Sequence, residues 1–144
     1  MKTVWQGALA SVLLAVVNSG WAGLPEGQAA FDRQDYAQAL AEFKPLALRG
    51  NAKAQFWLGL MHDDGLGVTQ SASEAAQWYR KAAAQGHAAA QFNLGVATQR
   101  GEGVPANPAE AVKWFRLAAQ QGQPNAQLNL GQAYFLGLGV AQNQ

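Results

Sequence analysis

The chain contains no cysteine. That absence excludes disulfides, thiolate metal sites, a cysteine nucleophile and a lipid-modified cysteine. Net charge is also scarce, with ten Lys and Arg against nine Asp and Glu. Counting from Gly23 removes only Lys2 and leaves nine of each sign. A neutral chain offers no electrostatic footprint for nucleic acid or anionic lipid, so neither is expected as a partner. Only two histidines occur, His62 and His87, and they fall in different segments. There is no HExxH, CxxC, Walker or Ser-x-x-Lys pattern; the serines at 71 and 73 read Ser-Ala-Ser-Glu. No metal, cofactor or catalytic group is therefore expected, and the chain does not read as an enzyme. Long hydrophobic runs are missing too. The longest apolar stretch, residues 4–17, is too short for a comfortable membrane span.

That stretch has a different reading. Lys2 precedes it, Gln6 and Gly7 interrupt it, and Asn18 follows it. Gly20 and Ala22 place small residues at −3 and −1 of a cut before Gly23. Residues 1–22 are thus expected to be a cleaved secretory signal. The flanks have a bacterial character, which makes the mature chain periplasmic or secreted, without stable membrane insertion.

What the chain has in abundance is repetition. Residues 51–86 return after a shift of 36. Leu58-Gly59 becomes Leu94-Gly95, then Leu130-Gly131. Gly65-x-Gly67-Val68 becomes Gly101-x-Gly103-Val104, then Gly137-x-Gly139-Val140. Trp78-Tyr79 becomes Trp114-Phe115, and Gly86 becomes Gly122. A fixed period of this length signals a solenoid, in which each unit buries its apolar face against its neighbours.

Alanine, glutamine and leucine favour helix. Apolar residues at three- and four-residue spacing predict helices over 35–49, 52–64, 72–85, 88–100, 108–121 and 125–136, with a shorter one over 23–33. Pro45 should kink or loosen the end of its helix. The candidate N-caps Asp35, Ser71, Asn107 and Asn143 stand 36 apart. Gln38, Glu74 and Glu110 sit three residues after the first three of them. Gly50, Gly86 and Gly122 are the matching stops. The Gly-x-Gly-Val loops follow helices rather than strands and recur in every copy, so they read as turns, with valine tucked back, and not as phosphate cradles. Small residues at Ala54, Gly59, Ala75 and Ala82 permit close helix approach, and Trp78 and Trp114 are expected to fill the wedge between successive hairpins. The fold class is all-α, a superhelical solenoid of antiparallel helix pairs.

The pattern A-x-x-x-L-G-x-x-x-x-x-G-x-G-V…E-A-x-x-W-[YF]-R-x-A-A-x-x-G resembles the Sel-one-like repeat (SLR), a relative of the tetratricopeptide repeat. It covers 51–86 and 87–122 fully and 123–144 in part. Residues 23–50 look like a preceding, more tetratricopeptide-like helix pair. The family's usual tyrosine late in the first helix is replaced by His62 and Thr98 and kept as Tyr134. The resemblance implies an α/α superhelix acting as an adaptor for protein complexes. Some cysteine-rich relatives are described as β-lactamase-like, but their helix-pair disulfides have no counterpart here. The third copy stops where its second helix should begin. That leaves Tyr134, Phe135, Leu136 and Leu138 exposed, as expected of a fragment or of a chain that closes this face by dimerisation.

Positions that hold the repeat are the same in each copy; positions that drift are free for binding. The structural set is Leu58, Gly59, Gly65, Gly67, Trp78 and Gly86, with Leu94, Gly95, Gly101, Gly103, Trp114 and Gly122. The drifting series Lys53/Ala89/Asn125, Trp57/Asn93/Asn129, Leu60/Val96/Gln132 and Asp64/Arg100/Leu136 is spaced by four, three and four residues, which makes one stripe on the first helix of each unit. Lys53, Trp57, Asn93, Arg100, Asn125 and Asn129 are the candidate contacts to a protein or peptide, with asparagines clamping its backbone and Trp57 as an apolar anchor. The alternative is a solvent-facing stripe with Trp57 packed on the preceding unit. Asp63-Asp64 reads as a solvated surface pair. The function expected is a protein-interaction module; an envelope enzyme or a host- or membrane-facing factor are the alternatives.

Overall fold

The computed structural model describes residues 23–140. The predicted signal segment, 1–22, and the predicted cap Asn143 lie outside the described residues. The described part is seven α-helices and no strand: α1 (Leu24–Asp32), α2 (Tyr36–Leu48), α3 (Ala52–Asp64), α4 (Ala72–Ala84), α5 (Ala88–Arg100), α6 (Pro108–Gln120) and α7 (Pro124–Leu136). α1–α2, α3–α4 and α5–α6 form hairpins, and the substantial helix packing joins only sequence neighbours. That is the contact pattern of a solenoid. Pro45 lies inside α2, which runs on unbroken to Leu48. Among the described residues no helix is long and apolar enough to cross a membrane.

The helix ends follow from side-chain chemistry. Asp35, Ser71 and Asn107 accept from the amides of Gln38, Glu74 and Glu110 at 3.2, 3.1 and 3.1 Å. Gly50, Gly86 and Gly122 have φ of 96°, 91° and 83°. The amide beyond each donates to a carbonyl five residues back: Asn51 to Leu46, His87 to Ala82 and Gln123 to Ala118. This satisfies carbonyls the helix would leave orphaned. The first helices of the units have caps of their own. Asn51, His87 and Gln123 accept from Ala54, Ala90 and Ala126 at 3.0, 3.2 and 2.7 Å.

Each hairpin closes by seating one aromatic ring on a helical glycine. Phe43 lies on Gly27, Tyr79 on Gly59 and Phe115 on Gly95, so tightly that any Cβ on these glycines would collide with the ring. The mid-helix glycine, a poor helix former, is thereby explained by close approach. The fully buried aromatics are therefore Phe43, Tyr79 and Phe115, at 0%, 2% and 0% exposure, while Trp78 and Trp114 lie less deeply. Helix phase is the reason. Tyr79 stands four residues after Ala75 and three before Ala82, on one face with them, while Trp78 is rotated away by one position. Trp78 and Trp114 are half-buried against neighbouring clusters. Trp78 carries the Lys81 ammonium 4.4 Å from its ring centroid, and Trp114 Nε1 donates to Glu110 at 3.3 Å.

The Gly-x-Gly loops set the spacing between units. Gly67, Gly103 and Gly139, at φ of 70°, 73° and 72°, abut the first residue of the second helix one unit earlier. Their contacts are Tyr36, Ala72 and Pro108. A side chain at any of the three would strike the neighbouring unit. Val68 is half-buried on the N-terminal core cluster, in accord with its tucking back.

Candidate interaction groove

α5 and α7 open two successive units, so residues 36 apart stand in register along the array. The structure gathers Asn93 and Arg100 from α5 with Asn125 and Asn129 from α7 around one open hollow of about 410 Å³. Ala72, Ala75 and Ala76 of α4 and Val96 of α5 supply its apolar wall. Four of the six stripe residues thus converge. Lys53 and Trp57 do not join them. They line a separate hollow of about 270 Å³ with Leu24, Pro25 and Gln28 of α1. Trp57 is half-buried, stacked on Phe43 at 5.5 Å between centroids and 3° between planes, and 4.8 Å from Phe31. Most of its surface therefore packs on the preceding unit.

Two residues of the groove escaped the sequence reading. Tyr79 reaches the hollow with its hydroxyl, which donates to Asp63 Oδ2 at 3.2 Å and is also hydrogen-bonded to Asn93. Asp63 lines the hollow and is not the solvated residue its sequence context suggested; Asp64 beside it is exposed. The Asp63 backbone carbonyl accepts from Gln70 Nε2 at 2.8 Å. Burial raises the Asp63 pKa, the Tyr79 hydrogen bond opposes this, and Asp64 and Glu102 add to the rise. The Tyr79 pKa is raised by burial first and then by the Asp63 charge. Arg100 pairs with Glu102 at 3.8 Å across the rim. Signals for both missed residues were present. Tyr79 stands in the phase of the small residues, and Asp63 repeats at neither Gln99 nor Phe135.

The groove therefore offers amide, guanidinium and carboxylate groups over an apolar wall. Neither Asn125 nor Asn129 spends its side-chain amide on another described residue. Among the described residues no three His, Asp or Glu side chains come together in a manner that would hold a metal. At the family's late-helix tyrosine position, Thr98 is buried and donates to Leu94 O at 2.7 Å, while the Tyr134 hydroxyl accepts from Arg116 at 2.7 Å. His62 Nδ1 is buried without a hydrogen-bond partner.

Comparison with known structures agrees with this architecture. A Sel1 repeat protein from Oxalobacter formigenes is 40% identical, with a TM-score of 0.78, over 81% of this chain and 48% of that one. A protective antigen of uropathogenic Escherichia coli strains, displaying an SLR fold, is 42% identical with a TM-score of 0.82, over 86% of this chain and 27% of that one. The chain thus spans less than half the length of either protein. Helicobacter pylori cysteine rich protein B is 20% identical over 73% of this chain and 90% of its own, with a TM-score of 0.61, a likeness of fold alone. Comparison with curated proteins gives no significant match. The Sel1 repeat profile matches residues 52–87, 88–123 and 124–144, with junctions one residue from those read in the sequence. The helix pairs, the glycine seats and this match together place the chain in the Sel1 repeat family, whose repeats generally mediate protein binding.

Proposed function

We propose that the protein is a periplasmic or secreted adaptor that holds an extended segment of another protein in the α5–α7 groove. The observation that carries this reading is the convergence of Asn93, Arg100, Asn125 and Asn129, from two units, on one hollow. A primary amide both donates and accepts, so it can meet the N–H and the C=O of a peptide backbone. Amides placed at the repeat spacing suit a ligand that runs along the array rather than a compact small molecule. Lys53 and Trp57 provide a second contact beside α1. The exported location is supported by the signal-like segment 1–22 and by the likeness to a bacterial protective antigen.

Peptides selected from a displayed library on the protein provide the probe. The Asn93→Ala/Asn129→Ala double variant should bind a selected peptide at least about tenfold more weakly, with its helical circular dichroism retained. Unchanged affinity in the folded double variant removes the clamp.

A further inference from the structure

The carboxylate at the wall of the α5–α7 groove is no part of the repeat. Asp63 stands in the last turn of α3, and the next two copies have Gln99 and Phe135 at its position. The residue that holds it departs from the repeat as well. Tyr79 fills the Gly59 seat with its ring, and Phe115 fills the Gly95 seat as tightly without a hydroxyl. The Tyr79 hydroxyl is therefore not needed to close the hairpin. It donates to Asp63 Oδ2 at 3.2 Å and so fixes the carboxylate beside the hollow. The second full repeat lacks both halves of this pair, with glutamine and phenylalanine in the two places.

The surroundings of Asp63 oppose its charge. Burial penalises it, the Tyr79 hydrogen bond offsets part of this, and Asp64 and Glu102 add repulsion. The last turn of a helix is also the wrong end for a carboxylate, because the macrodipole is negative there. Among the described residues no lysine, arginine or histidine forms an ion pair with Asp63. Arg100, which lines the same hollow, pairs with Glu102 at 3.8 Å instead. Asp63 and Glu102 thus face the single guanidinium of Arg100, and the hollow carries a net negative charge. A half-buried carboxylate, oriented by a hydroxyl and without a cation of its own, is complementary to a positive group brought from outside.

We infer that the groove selects a basic side chain in the segment it holds, with Asp63 as the specificity-determining acceptor and Tyr79 as its positioning residue. This rests on the reading of the α5–α7 groove as a peptide site. Arginine suits Asp63 because its planar fork matches a carboxylate. The alanine wall of α4 receives the methylene stem. The asparagine amides hold the backbone, and Asp63 decides which residue stands between them.

The test uses the full chain, labelled with nitrogen-15, and two capped pentapeptides of alanine with arginine or citrulline at the centre. Citrulline keeps the shape and removes the charge. Saturable amide shifts at Asp63, Tyr79 and Asn93 are expected with the arginine peptide, and citrulline should weaken binding at least about tenfold. Asp63→Asn should remove that preference. Tyr79→Phe, which leaves a ring on Gly59 as Phe115 does on Gly95, should reduce it. Asn93→Ala/Asn129→Ala should weaken both peptides alike and keep the preference. If that double variant changes neither affinity while the preference persists, the clamp falls and the cation site stands. Equal binding of the two peptides overturns the inference, as does a preference that survives in Asp63→Asn, or no saturable shift up to millimolar arginine peptide. A library-selected peptide without a basic residue, bound by the native groove and lost in the asparagine double variant, also overturns it while leaving the groove reading in place.

Discussion

The aromatic pair in each repeat divides its labour between neighbours in sequence. Tyr79 and Phe115 are buried on glycine, while Trp78 and Trp114 lie half-exposed at the flank. Stability should therefore track the smaller ring. Tyr79→Ala and Phe115→Ala are each expected to cost about 3–5 kcal/mol, as for other buried aromatics. Trp78→Ala should cost about 1–2 kcal/mol, because much of its ring keeps solvent contact in the fold. Urea denaturation of the three variants checks the order, and a Trp78→Ala loss equal to that of Tyr79→Ala contradicts it. The sequence placed both residues at the heart of the repeat without saying which faced inward. The information was there in the phase of Ala75 and Ala82, but size and hydrophobicity favoured tryptophan. The groove was less legible. Asn93, Asn125 and Asn129 could be found because they fall at registers, 57/93/129 and 53/89/125, that drift between copies. Asp63 and Tyr79 meet across the turn between α3 and α4, and pairing them needs the geometry of that turn.

Helices are delimited here by two kinds of cap, one easier to read than the other. Asp35, Ser71 and Asn107 are favoured N-cap types and repeat plainly. Asn51, His87 and Gln123 perform the same task with three unlike side chains, and only their shared offset betrays it. The middle one ties α5 to pH. His87 Nδ1 must be unprotonated to accept from Ala90. Burial first, and Lys53 second, lower its pKa below the ordinary 6.5. The unfolded chain then takes up the proton before the folded one, so folding stability rises with pH across this window. The contribution is complete above about pH 6.5 and is lost as pH falls from there towards the lowered folded value. Denaturation midpoints at pH 7.5 and 5.5 should differ less in His87→Asn, which keeps a capping oxygen that does not titrate. An equal pH response in the two proteins would separate the cap from the titration.

Along the whole molecule, helices touch mainly those next to them in sequence. Among the described residues the substantial packing is local, so stability is a sum of units and their interfaces. Among the described residues α7 packs chiefly on α6 and exposes Leu128, Tyr134, Phe135 and Leu136. Amide hydrogen exchange should therefore be slowest in α3 to α5 and fastest in α7, with α6 between. Uniform protection from α3 to α7 would mean the array opens as one body. The architecture at this scale was the most legible feature, since period, caps and glycines all report it.

The loop glycines carry one further consequence. Gly67 meets Tyr36, Gly103 meets Ala72 and Gly139 meets Pro108, so every junction joins the same two positions of adjacent units. Such a joint does not count how many units lie on either side of it. Gain or loss of a whole 36-residue block leaves every surviving junction intact, whereas a shift of one residue breaks the frame downstream. Copy number is thus a neutral variable for the scaffold, and reach along a partner can change in whole steps without redesign of the core.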